Sequence, residues 1–101
     1  RLNGYACFGP APLTQGTYDL YWIVVAPEAQ GRGLGRSLLG HVERDVAARG
    51  GRMLLIETSS QETYARTVDF YCRNGYGQEA RVRDFYRPGD DKLIFRKELV
   101  P

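Results

Sequence analysis

The sequence predicts an α/β (α+β) domain with a single mixed β-sheet and the element order ββαβαββ. An apolar run leads straight into a glycine-rich loop and an amphipathic helix, a second apolar run follows this helix, and two strand-like segments flank a Pro-Gly turn near the end. The chain has 101 residues, of which 43% are hydrophobic and 26% are charged. This size and composition are those of one globular domain, so we assign residues 1–101 to a single domain.

The first two predicted strands form an antiparallel hairpin. Tyr5–Phe8 is a short apolar run. We expect it to stop at Gly9–Pro12, because two closely spaced prolines cannot donate hydrogen bonds to a neighbouring strand. Tyr18–Val25 is apolar at nearly every position, which is typical of a strand covered on both faces.

A crossover unit follows. Its helix is predicted over residues 33–49 and ends at Gly50-Gly51, since apolar residues recur at four-residue steps at Leu34, Leu38, Val42 and Val46. The next strand, Arg52–Glu57, has a continuously apolar centre. A strand, helix and strand of these lengths predict two parallel strands joined by a right-handed connection.

The last third of the chain predicts a short helix and a hairpin. The helix spans Thr63–Asn74 and is expected to bury Ala65, Val68, Tyr71 and Cys72. Two strands, Glu79–Tyr86 and Lys92–Leu99, flank a turn over residues 87–91. Asp90 and Asp91 could attract a cationic amine, but we expect them to lie in a solvated turn.

The glycine loop, Gln30–Arg36, is the stretch most suggestive of chemistry. It lies between an apolar strand and the start of a helix, where free backbone N–H groups and the helix dipole favour an anion. Its glycines allow close approach of the backbone, and Arg32 and Arg36 add positive charge. The pattern therefore predicts a diphosphate-binding loop.

Two nucleotide-binding motifs do not fit this loop. A P-loop requires Lys-Ser/Thr after its last glycine, but Arg36-Ser37 follows Gly35. The dinucleotide-binding fingerprint is Gly-x-Gly-x-x-Gly, whereas Gly31, Gly33 and Gly35 are each two positions apart. The pattern that fits is Gln/Arg-x-x-Gly-x-Gly/Ala, which resembles the acetyl-CoA-binding motif of the GNAT superfamily of N-acetyltransferases.

The resemblance implies a fold, a co-substrate and a binding site. The chain is similar to the GNAT domain from its third strand onward, the C-terminal two-thirds, without the first strand and the helices after it. Acetyl-CoA would be the co-substrate, and no metal is implied. The pantetheine arm would pair with the backbone of Ile23, Val24 and Val25. The residues that would hold the diphosphate are Gln30, Gly31, Arg32, Gly33, Gly35 and Arg36.

The resemblance also supplies a candidate general acid. Tyr71, followed by Gly75 and Tyr76, is similar to the family's Tyr-x-x-x-Gly-Phe signature. A phenol, with a pKa of about 10, is a suitable proton donor for a departing thiolate. The alternative is that Tyr71 is only a core aromatic of its helix.

The general base stays open between two carboxylates and water. Asp19 is the one carboxylate in its apolar strand, at a position where some members of the family carry a catalytic glutamate. Glu57 ends the opposite apolar strand and could accept the amine's proton directly or through water. Many members of the family use only ordered water.

We therefore predict an N-acetyltransferase in which a primary amine, on a small molecule or a peptide, attacks acetyl-CoA directly in a ternary complex. The alternative is a non-catalytic acyl-CoA-binding or regulatory module of a larger protein.

A net charge of +2 does not require a nucleic acid, no apolar run is long enough for a membrane span, and Cys7 and Cys72 indicate reduced thiols in the cytoplasm. We also expect an uncovered sheet edge to need a second copy or an attached N-terminal segment.

Overall fold

The computed structural model describes residues 4–27, 30–31 and 33–99 and confirms the mixed α+β fold. Its strands form one five-stranded sheet in the order β1-β2-β3-β5-β4. The chain divides into two compact units, residues 1–54 with 98–101, and residues 55–97. The elements in chain order are β1 (Gly4–Pro10), β2 (Thr17–Val25), α1 (Leu34–Ala48), β3 (Met53–Ser59), a 3₁₀ turn (Glu62–Tyr64), α2 (Ala65–Arg73), β4 (Gly77–Arg87) and β5 (Asp90–Glu98).

The first unit is the β1–β2 hairpin with α1 packed against both strands. The apolar stripe of α1 faces inward, although Leu34 and Leu38 are only half-buried. The buried apolar residues of this unit are Leu20, Leu39, Val42, Val46 and Leu54. At the C-terminus of α1, Gly50 has φ +86°, and the N–H groups of Gly50 and Gly51 donate to the carbonyls of Ala47 and Val46. This Schellman motif is the physical reason for the Gly-Gly stop.

A β-bulge interrupts the β1–β2 ladder. Cys7 lies opposite Trp22, but the next residue, Phe8, lies opposite Leu20, so Tyr21 is an extra residue on β2. A bulge of this kind bends a strand and changes the direction in which its side chains point. The bend lies within the strand that leads into the glycine loop.

Two predictions for this hairpin are wrong. β1 does not stop before Gly9 but continues to Pro10, which lies opposite Tyr18. Because β1 is an edge strand, a proline at its end costs the sheet no central hydrogen bond. β2 is not covered on both faces, since Tyr21 and Trp22 are each 51% exposed. The bulge explains part of this difference because it breaks the inward and outward alternation at these two residues.

The second unit combines most of β3 with α2 and the β4–β5 hairpin. Its buried apolar residues are Ile56, Tyr71, Tyr76, Leu93 and Phe95. The hairpin is longer than predicted because its turn is tight: Arg87 pairs with Asp90, leaving only Pro88 and Gly89 between the strands. Every residue of β4 is exposed, as its alternating charges predict for a solvated strand.

The predicted buried face of α2 is only partly correct. Tyr71 is buried and Val68 is half-buried, but Ala65 and Cys72 are exposed. The α-helix begins at Ala65 because Glu62–Tyr64 forms a 3₁₀ turn. A helix of nine residues has room for only a narrow buried stripe, so the flanking positions face solvent.

Candidate functional site

The glycine loop folds back onto the end of β2. The side-chain amide of Gln30 donates to the carbonyl of Val25 at 3.1 Å, and the Gln30 N–H donates to the carbonyl of Pro27 at 3.3 Å. The first residue of the predicted motif thus fixes the start of the loop, because its side chain satisfies a carbonyl at the end of the strand.

Gly31 and Gly33 are glycines for conformational reasons. They have φ values of +83° and +73°, in the left-handed region. That conformation costs other L-residues about 1–2 kcal/mol. A Cβ built on either glycine would have no heavy atom within 4 Å. The space in front of the loop is therefore open, and the loop can approach a bulky group closely.

The N-terminus of α1 has no side-chain cap. Gly33 is the N-cap residue, no side chain caps the helix, and no acidic residue lies in its first turn. The first N–H to reach back within the helix is that of Ser37, which donates to the carbonyl of Gly33 at 3.0 Å. The N–H groups of residues 34–36, which include Gly35, precede it and have no acceptor inside the helix. Arg36 is exposed on the same turn. Arg32 lies outside the described residues.

The end of β2 presents backbone groups on both of its edges. Ile23, Val24 and Val25 lie opposite residues of β1, and along an antiparallel strand the N–H and C=O groups alternate between its two edges. Their side chains are not uniformly buried, because Val24 is 40% exposed. Asp19, earlier on the same strand, is half-buried and lies opposite Gly9.

Tyr71 lies in the second unit, on the buried stripe of α2. The rings of Phe70 and Tyr76 contact it edge-on, with centroids at 5.4 and 5.9 Å. Burial raises the pKa of the Tyr71 phenol above its ordinary value of 10.0. The hydroxyl is protonated at neutral pH, as that of an ordinary tyrosine also is, and the raised pKa makes it a weaker acid than an exposed phenol.

The predicted signature around Tyr71 has a structural basis. Gly75 has φ +95°, and the N–H groups of Gly75 and Tyr76 donate to the carbonyls of Cys72 and Tyr71. This arrangement is a Schellman motif, in which the residue after the glycine packs against the last turn of the helix. The contact between the Tyr71 and Tyr76 rings is that packing.

Glu57 lies at the carboxyl end of β3 and lines a cleft of the second unit. Its Oε1 forms an ion pair with Lys92 Nζ at 3.2 Å. The cleft has a volume of about 430 Å³, and residues of the β3 end, the 3₁₀ turn and the β4–β5 turn line it, among them Glu57, Ser59, Tyr64, Tyr86, Arg87 and Asp90. Of the three predicted catalytic residues, Glu57 lines this cleft, and Tyr71 and Asp19 do not.

The prediction that Asp90 and Asp91 lie in a solvated turn is wrong. They are only 7% and 8% exposed. The hydroxyl of Ser59 donates to Asp90, while the Asp91 N–H donates to Ser60 Oγ and the Ser60 N–H donates to the Asp91 carbonyl. Because the turn is tight, both aspartates lie within the hairpin, where Ser59 at the end of β3 bonds the Asp90 carboxylate and Ser60 bonds the Asp91 backbone.

The Asp91 carboxylate also organises β4. It accepts the N–H of Asp84 at 2.8 Å and the Arg81 Nε–H at 2.5 Å. The Asp84 N–H, followed by Arg81, holds the pKa of the Asp91 carboxyl below its ordinary value of 3.8. Asp84 itself has φ +58°, and its carboxylate accepts the Gly89 N–H, which fixes the turn. The sequence does not predict this cluster. The signal that could have indicated it is the occurrence of two doublets, Ser59-Ser60 and Asp90-Asp91.

Other site classes find little support in the part of the chain that the structure describes. In those residues no group of three His, Cys, Asp or Glu side chains could hold a metal ion. Cys7 and Cys72 are free thiols. None of the described helices combines the length and the apolar character needed to cross a membrane.

A strand, a glycine loop and an uncapped helix N-terminus are the elements from which α/β proteins build anion-binding sites. Residues 1–78 match the family model of the acetyltransferase (GNAT) domain. The chain belongs to this family.

Solved structures agree with this assignment. A protein from Desulfovibrio desulfuricans that is assigned to the GNAT acetyltransferases is 56% identical, with a TM-score of 0.96 over 97% of this chain. The Escherichia coli ribosomal-protein-S18-alanine N-acetyltransferase is 24% identical, with a TM-score of 0.80 over 98% of the chain. A Salmonella typhimurium protein, yncA, solved with acetyl-CoA, is 23% identical, with a TM-score of 0.81 over 98% of the chain. These last two similarities concern the fold alone.

The chain is shorter than the proteins it resembles. It spans 62% of the Desulfovibrio protein, 63% of the Escherichia coli enzyme and 59% of the Salmonella protein. No curated protein matches it in sequence.

Proposed function

We propose that the protein transfers an acetyl group from acetyl-CoA to a primary amine in a ternary complex. The family assignment and the glycine loop support this proposal together. The observation that carries it is the start of α1, where Gly33 in the left-handed conformation replaces a capping side chain. A helix N-terminus that is open in this way offers its N–H groups to a ligand with phosphate charge.

The residues of the glycine loop fit coenzyme A. In this proposal, the N–H groups after Gly31 and Gly33 bind the diphosphate, and Arg36 and Arg32 add charge to the same loop. Gln30 holds the loop against β2. The backbone of Ile23–Val25 then pairs with the pantetheine arm, as the family resemblance implies. Because β3 is the neighbour of β2 on the edge away from β1, this pairing requires β2 and β3 to separate at these residues.

The chemical step moves one acetyl group and two protons. The ammonium loses a first proton, the nitrogen forms a bond to the thioester carbon, and the carbon–sulfur bond breaks to release the CoA thiolate. The nitrogen then loses its second proton, which replaces the proton that the general acid gives to the thiolate. We assign the proton given to the thiolate to Tyr71, because a phenol carries its proton at neutral pH and its position matches the family signature. The proton of the ammonium goes to Asp19, to Glu57 or to water.

Release of free CoA thiol measures this activity directly. We expect the chain, supplied with acetyl-CoA and a mixed pool of primary amines, to release thiol faster than acetyl-CoA hydrolyses alone, and to yield acetylated amines by mass spectrometry. Binding of CoA without amine-dependent thiol release would instead support a non-catalytic acyl-CoA-binding module. Absence of both would contradict the proposal.

A further inference from the structure

The cleft of the second unit combines groups of opposite charge that the predicted chemistry does not use. Arg87 lies at one position of its wall and Glu57 at another. Both side chains reach water, since they are 66% and 50% exposed. Its volume of about 430 Å³ lies within the usual range for small-molecule sites.

The guanidinium of Arg87 is exposed and forms a long ion pair with Asp90. Its Nε lies 3.9 Å from Asp90 Oδ2, which is too long for a hydrogen bond. Within residues 4–27, 30–31 and 33–99, no other polar partner of this guanidinium is found. Asp90 is already held by the Ser59 hydroxyl and is buried. A guanidinium with free parallel N–H groups is suited to a planar carboxylate.

The carboxylate of Glu57 retains one acceptor oxygen. Lys92 pairs with Oε1 and is held in place, because its ammonium also lies 4.3 Å from the centroid of the Phe85 ring. The second oxygen of Glu57 can accept a hydrogen bond from an ammonium group. The phenol rings of Tyr64 and Tyr86 line the same cleft, each about half exposed, and give apolar surface to the carbon skeleton of a ligand.

The charge balance selects among anionic groups. Two carboxylates, Glu57 and Asp90, oppose two cations, Arg87 and Lys92, so the four groups together are neutral. A dianionic phosphate would be repelled by both carboxylates, whereas a monoanionic carboxylate adds half that charge. A polyamine would place additional positive charge beside Arg87 and Lys92.

We propose that this cleft binds the acceptor as a zwitterion of the amino-acid type, with its carboxylate on Arg87 and its ammonium towards Glu57. The inference rests on the proposed function, because it names the class of amine that is acetylated. The product would be an N-acetylated amino acid, formed as the nitrogen–carbon bond replaces the carbon–sulfur bond. The Ser59 hydroxyl donates to Asp90 and the Asp91 N–H donates to Ser60 Oγ, and these two bonds hold the turn that carries Arg87 in position.

Ligand-observed NMR on the full chain tests the site without requiring turnover. The probes are L-amino acids, each paired with the amine that lacks its carboxylate, and aminoalkyl phosphates. We expect the amino acid of a pair to bind at least about tenfold more tightly than its decarboxylated partner, since a charge-assisted hydrogen bond accounts for that much. Arg87→Gln should remove this preference. Arg83→Gln, on the same strand but outside the cleft, should preserve it.

The outcomes separate the cleft from the reaction. Four outcomes would overturn the inference, provided that circular dichroism shows both variants folded. They are equal binding within each pair, absence of amino-acid binding, equal effects of the two variants, and tighter binding of the phosphates. If thiol release proceeds equally with neutral-tailed amines, the acetyltransferase proposal stands and the inference fails. If amino acids bind in an Arg87-dependent way but no amine is acetylated, the cleft assignment stands and the reaction fails.

Discussion

Tyr71 has a structural role as well as a proposed chemical role, and the two roles must be distinguished. Its ring contacts Phe70 and Tyr76, and its carbonyl accepts the N–H that closes the Schellman motif. Both features depend on the ring and the backbone. The hydroxyl is the part that only the chemistry would require.

Tyr71→Phe therefore distinguishes the two roles. The variant keeps the ring, so we expect its free energy of unfolding to change little. General acids contribute about 10²–10⁴-fold to the rate, and a thiolate is a good leaving group, so we expect kcat to fall by about 10–10³-fold with little change in CoA affinity. Steady-state kinetics across the pH range provide the measurement. Full kcat in the variant at every pH would assign the proton to water and leave Tyr71 in the core alone.

Asp91 makes the hairpin sensitive to acid. Its folded-state pKa is lowered, by the Asp84 N–H first and then by Arg81, so its carboxylate stabilises the fold above its ordinary pKa of 3.8. That stabilisation disappears as the pH falls through the lower folded-state value. We expect Asp91→Asn to lower the thermal midpoint at neutral pH, and the difference from the unsubstituted chain to shrink below about pH 4. A difference that does not depend on pH between 7 and 2 would contradict this assignment.

At the scale of elements, the helix ends follow from sequence more reliably than the turns. Gly50 and Gly75 both occupy the left-handed position after a helix, and both ends can be predicted because glycine adopts that conformation without a Cβ penalty. The tight turn at Pro88-Gly89 could not be predicted in detail. Its register depends on Asp84 and Asp91, whose hydrogen bonds join residues 5 and 7 positions apart.

Gly75→Ala tests the helix end. The variant places a Cβ at φ +95° and within 3.3 Å of Lys97 Cε, so we expect it to reduce the free energy of unfolding by about 1–2 kcal/mol. Gly77→Ala is the matched control, because a Cβ there meets nothing within 4 Å and Gly77 is absent from the positive-φ residues. Urea denaturation compares the two. Equal stability of both variants would exclude strain at the helix end as the reason for Gly75.

For the whole molecule, the sequence predicts the element order and the glycine loop, and leaves the cleft unpredicted. The loop can be predicted because its residues are contiguous and each follows a local rule of backbone geometry. The cleft cannot, because Glu57 and Arg87 are separated by 30 positions and become neighbours only through the paths of β3 and the β4–β5 hairpin. The exposure of Trp22 was missed for a related reason, since an apolar run does not reveal a bulge.

The central claim, that the glycine loop and the start of α1 bind the CoA diphosphate, is tested most directly by calorimetric titration of the whole chain with CoA. Gly33→Asp adds a negative charge where the diphosphate would lie, at a left-handed position that Asp tolerates better than most residues. Gly50→Asp is the control, because Gly50 has a similar φ of +86° and equally open surroundings at the other end of α1. We expect Gly33→Asp to raise the Kd for CoA by more than about tenfold and Gly50→Asp to change it by less than about twofold. Unchanged CoA affinity in folded Gly33→Asp, or equal losses in both variants, would contradict the account.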